Sequence, residues 1–141
     1  MKDKDVFEFY KRVLKKNKNC IISTASLKGK TESAVMNYAE TKDGKLYIYC
    51  LNDMRKYPNL IENPRISIII YNDPDYIQMD GSIKFLGGDE AKKAKEELIK
   101  KRDNKVNYHT DSRCVYFLFT PTWTKIKVDA KFPAKYVIIK E

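Results

Sequence analysis

Short β-branched and aromatic stretches, each closed by a tight-turn signal, restrict the fold of this chain more than any other feature. The run CIISTASL follows Asn19, Lys28-Gly29-Lys30 turns the chain, and 31–40 returns as an antiparallel partner. Asp43-Gly44 is a strong hairpin signal leading into 46–50. Further on come 66–71, the turn Asn72-Asp73-Pro74, and a long strand over 76–86. Gly81 interrupts that long strand, where a barrel needs a bulge or corner. The segments 114–120 and 123–128 read as a last hairpin through Pro121, and 132–139 as a final edge strand. Six or seven strands joined by tight turns, with helices only as inserts, give a mainly β, antiparallel barrel rather than a βαβ sheet.

The helices are expected at about 5–17 and about 89–102. Asp5 with Glu8 three residues later suits a capping box, and Val6, Phe9, Tyr10, Val13 and Leu14 recur at helical spacing. Gly87-Gly88-Asp89 opens the second, with Ala91, Ala94, Leu98 and Ile99 on one face. At 141 residues, 1–141 reads as one domain that buries a core without disulfides or metal.

Residue chemistry excludes several function classes. Cys20, Cys50 and Cys114 lie far apart, no C-x-x-C occurs, and His109 is the single histidine, which argues against a zinc site. A nucleophile–histidine relay could use only His109, in the polar segment NKVNYHTDSR. The apolar contexts of Cys20 and Cys114 suit buried thiols. An enzyme built from this chain therefore borrows its chemistry from a cofactor. No apolar run approaches the ~20 residues of a membrane span, and the N-terminus mixes charge signs unlike a secretory signal, so a cytoplasmic location is expected.

The net charge of +9 raises nucleic acid as a partner. Its distribution argues otherwise over 89–103, where Glu96 and Glu97 precede Lys100 and Lys101 in the favourable i,i+4 order of a solvated helix face. Asp89, Glu90 and Asp103 add acids among the lysines there. The cluster Lys11, Lys15, Lys16 and Lys18 is less balanced and stays the best nucleic-acid candidate.

The segment LNDMRKYPNLIENPR, residues 51–65, sits between two strands and sets Arg55 and Lys56 just before a short helical turn. Unpaired N–H groups and the dipole of a helix start, together with two cations, suit a phosphate dianion. A solvated basic pair in a loop is the other reading. Pro58 disfavours helical geometry at Tyr57 and removes one donor, so the helix is expected to begin at Pro58.

Across 20–128, and most strongly over GKLYIYCLNDMRKYPNLIENPRISIII, the chain resembles the pyridoxamine 5′-phosphate oxidase-like family of FMN-binding split β-barrels. The resemblance implies that Arg55 and Lys56 grip the FMN phosphate. It also implies a homodimer with flavin at the interface, held largely by backbone groups of Val35, Met36 and Asn37 and of Tyr49, Cys50 and Asn52. Core packing is the alternative role for Val35 and Met36. Trp123, the only tryptophan, either covers the flavin from the partner subunit or fills an interface or the core.

The chain departs from the family pattern at Ser33, where vitamin oxidases carry a phosphate-binding arginine, and at Tyr76, where they carry a glutamine. They also draw arginine and histidine for the substrate from a C-terminal segment, whereas here no arginine follows Arg113 and no histidine follows His109. Oxidation of pyridoxamine 5′-phosphate itself is therefore not expected. The resemblance favours an FMN-dependent oxidoreductase of an unknown small molecule. A flavin carrier or sensor without turnover, a basic barrel binding single-stranded nucleic acid through Tyr and Lys, and deazaflavin or haem in place of FMN are the alternatives.

Overall fold

A computed structural model describes residues 3–102, 107–131 and 133–140. Seven strands form one antiparallel sheet: β1 (Asn19–Ala25), β2 (Thr31–Glu40), β3 (Leu46–Leu51), β4 (Arg65–Asn72), β5 (Asp75–Phe85), β6 (Cys114–Asp129) and β7 (Lys135–Lys140). Their order is β3-β2-β1-β4-β5-β6-β7, and β3 also pairs with β6. That second pairing sets Leu46 opposite Phe119 and Leu51 opposite Cys114, and closes β1–β6 into a barrel with β7 outside. The barrel and its strand count match the sequence expectation.

β6 differs from the hairpin expected at Pro121. It runs unbroken for sixteen residues, because Pro121 faces Gly81 where the β5–β6 register slips. A residue lacking an N–H is tolerated at such a bulge. Gly81 is required there, since a Cβ would lie 2.2 Å from the Thr120 carbonyl oxygen. The bend lets one strand pair with β3 and β5 in its first half and with β5 and β7 in its second.

Alternation sorts the strands. Ile22, Tyr38, Ile48, Ile68, Ile77, Met79, Phe117 and Phe119 point inward and are almost wholly buried, each contributing about 1.5–3 kcal/mol of transfer free energy. Helix α1 (Asp3–Lys16) adds Val6, Tyr10, Val13 and Leu14 to the same core. Tyr10 Oη donates to the Gly44 carbonyl at 2.6 Å and Tyr38 Oη to the Leu14 carbonyl at 2.6 Å. The helix starts before Asp5, so Asp5 and Glu8 lie inside it rather than forming its cap.

The outer face divides in two. Helix α3 (Gly88–Lys101) and the short 3-10 turn Asn107–Thr110 lie over β2, β3 and β6, burying Ala39, Tyr49, Ala94, Leu98 and Tyr116. Over the outer face of β1, β4 and the start of β2 no helix among the described residues covers the sheet, leaving Ile21 at 42% and Val35 at 68% exposure. Lys101 does not use the expected partner Glu97. It turns inward to Glu40 instead. Asp103 and Phe132 lie outside the described residues. No helix among the described residues is long and apolar enough to cross a membrane.

Candidate functional site

Between β3 and β4 the chain forms a loop and then helix α2 (Tyr57–Glu62), which is pinned over the β1–β2 end of the barrel. Asn59 Nδ2 donates to Thr24 Oγ1 at 3.2 Å and to the Lys30 carbonyl at 3.1 Å, and Asn63 Nδ2 to the Ala25 carbonyl at 3.1 Å. The loop is braced from the other side. Asn52 N donates to the Arg113 carbonyl at 2.9 Å, and Arg113 Nη1 reaches Asp53 at 2.6 Å. Arg113 also holds Asp111, whose carboxyl its hydrogen bonds lower to about 2. Sequence reading missed Arg113, because its partner Asp53 stands sixty residues away.

α2 begins at Tyr57, one residue before the expected start, with Lys56 as a helical N-cap that makes no side-chain cap bond. The Tyr57 N–H is already taken by the Met54 carbonyl at 3.0 Å. The helix is only six residues long, so the dipole adds little and the cations carry the site. They are placed very differently. Arg55 is exposed and lies 2.9 Å from Glu32 Oε1. Lys56 is 6% exposed, and its amine donates to Met54 Sδ at 3.0 Å. A thioether is a weak acceptor, and burial lowers the Lys56 pKa, opposed by Cys50 and Glu32.

The remaining expected residues are spread along the same end of the barrel and its outer face. Val35 and Asn37 project outward from β2, while Met36 and Cys50 are in the core. Only the backbone of those two can serve a ligand outside the barrel. Burial drives the Cys50 thiol up to about 11 and Cys20 up to about 12, which suits inert thiols. Tyr49 packs beneath the 3-10 turn and its Oη accepts from Asn37 Nδ2 at 3.1 Å. Trp123 also faces outward, opposite Asp80. Three strands, β1, β4 and β5, separate it from Val35 within one protomer.

His109 is buried rather than set in a polar loop. Its Nδ1 lies 2.8 Å from Tyr116 Oη, its ring stacks on Tyr116, and desolvation lowers its pKa. Beside the Arg55–Glu32 pair runs an open groove of about 830 Å3 lined by hydroxyls, among them Ser23, Ser33 and Ser67, with Asp80 and Arg65. Among the described residues no cluster of His, Cys, Asp and Glu could hold a metal ion.

A six-stranded closed barrel with an Arg-Lys loop beside an open outer face defines the split β-barrel class. The sequence pattern of the family described as pyridoxamine 5′-phosphate oxidase matches residues 6–125, and the chain belongs to that family. No curated protein matches it by sequence.

Solved structures show the same fold at low identity. Campylobacter jejuni ChuZ superposes with a TM-score of 0.85 at 13% identity, covering 100% of this chain and 61% of that one. A heme binding protein from Mycobacterium smegmatis gives 0.77 at 14%, covering 93% and 56%. A Clostridium acetobutylicum protein related to general stress protein 26 of B. subtilis, of the pyridoxinephosphate oxidase family, gives 0.72 at 18%, covering 99% and 96%. The chain thus spans about 60% of the length of the first two.

Proposed function

We propose that this chain binds FMN at the Arg55–Lys56 loop and acts as an oxidoreductase on a small molecule. The observation that carries the reading is Lys56: a buried ammonium whose hydrogen-bond acceptor is a thioether. Burying a charge without a good partner is costly, and a bound phosphate oxygen supplies the partner the fold withholds. Lys56 and Arg55 hold the phosphate, and Ser33 offers a hydroxyl where the vitamin oxidases carry arginine. Val35, Met36 and Asn37 lie along the ring through their backbone, and Tyr49 fixes the Asn37 carboxamide. The flavin supplies the redox chemistry. Deazaflavin, with its phosphate on the same loop, is the alternative flavin-type cofactor.

The uncovered outer face supports a two-fold dimer, with Ile21 and Val35 meeting a second copy and Trp123 approaching the partner's ligand. Haem is the second reading, favoured by the Mycobacterium smegmatis likeness. Against it, the one histidine of the sequence is 7% exposed and bonded to Tyr116, so it is not presented to an iron. The absorbance spectrum of the purified protein tests the choice. A flavin spectrum, or its appearance on adding FMN, is expected. A haem spectrum, with no change on adding FMN, overturns the reading.

A further inference from the structure

Glu32 is a group that a phosphate site should not contain. The alternation that sends Ala34, Met36 and Tyr38 inward puts Glu32 on the same face of β2, with its backbone fixed opposite Thr24. Its side chain is 13% exposed, while that of Arg55, its partner at 2.9 Å, is 83% exposed. Glu32 Oε1 is sealed from solvent, and no donor among the described residues points along it in hydrogen-bonding geometry. The ion pair thus joins a sheltered carboxylate to an exposed guanidinium without hydrogen-bond alignment, which leaves the guanidinium open to a better acceptor. Glu32 also attracts Lys56. Two cations against one carboxylate leave a formal charge of +1, whereas a phosphomonoester carries about −1.5 to −2 at pH 7.

We propose that Glu32 is a specificity-determining residue of the anion site, competing with a ligand's phosphate for Arg55. It lowers the affinity for a dianion and leaves affinity for the uncharged remainder of the ligand untouched. The proposal rests on the anion-site reading above. Glu32→Gln keeps the shape and removes the charge, and Glu32→Thr is a second variant of the same kind. Either should tighten FMN binding about tenfold with riboflavin unchanged. In an Arg55→Ala background the gain should largely vanish, because the contest is over Arg55.

The experiment titrates wild type, the Glu32 variants, Arg55→Ala and the double variants with FMN, riboflavin and inorganic phosphate by calorimetry. Unchanged or weaker FMN and phosphate binding in both Glu32 variants overturns the proposal. So does an equal gain with and without Arg55, which would assign Glu32 a general field effect. Failure of the flavin reading looks different: neither flavin binds any of the proteins, while inorganic phosphate still follows the expected order.

Discussion

Lys101 and Lys56 are both drawn out of bulk water, but in different company. Lys101 Nζ meets Glu40 Oε1 at 2.5 Å, the Leu14 carbonyl at 2.8 Å and the Tyr38 ring at 3.9 Å from its centroid. Those contacts tie α3 to the end of α1 and to β2, and they use the donors an ammonium has. Lys56 Nζ meets a sulfur. Burial lowers the pKa of both amines. A lysine finished by its own fold is structural. Lys56, whose acceptor among the described residues is a thioether, is the one on which the phosphate proposal turns.

The largest effect that could break this contrast is on stability. Glu40→Ala strands the Lys101 ammonium and should cost about 3 kcal/mol in denaturant unfolding, while a Lys101→Met/Glu40→Leu pair should recover most of it. A loss below about 0.5 kcal/mol would place the pair with ordinary surface ion pairs. Lys56→Met should do the opposite in ligand-free protein, leaving stability unchanged or raising it by up to about 1 kcal/mol, as when a functional site carries strain. A clear loss would make Lys56 structural too.

The smallest effect is the pH dependence. Lys56 has a folded pKa below its ordinary 10.5. While both states stay protonated, the burial penalty is constant. As pH rises through the folded value toward 10.5, the folded state sheds its proton first, the unfolded chain binds more protons, and stability climbs. Ligand-free wild type should therefore gain stability over Lys56→Met in that alkaline window, and bound FMN should abolish the difference. Unfolding curves at several alkaline pH values read this directly. A falling difference would reverse the sign of the burial argument.

Most of the barrel is legible in the sequence because its signals are local. Asp43-Gly44 marks a turn whose Gly44 has φ +82°, and Gly81 marks the bulge. Pro121 misleads for the same reason: locally it resembles a turn, and only Gly81 across the ladder shows that a strand passes through it. Burial of His109 and the Lys101–Glu40 pair depends on segments far apart in sequence and leaves no local mark. In the candidate site, Arg55 and Lys56 stand out, yet their unequal burial does not. Glu32 was readable in principle, as an acid at an inward position of an alternating strand. Its meaning appears only beside Arg55.

On the proposed reading Lys56 waits for a phosphate. The most direct measurement compares dissociation constants of FMN and riboflavin for wild type and Lys56→Ala. Charge-assisted hydrogen bonds contribute roughly 1.5–3 kcal/mol, so FMN should bind on the order of ten- to a hundredfold more weakly in the variant, with riboflavin nearly unchanged. Equal loss for the two ligands would place Lys56 in the scaffold rather than against the phosphate, and the phosphate reading would be wrong.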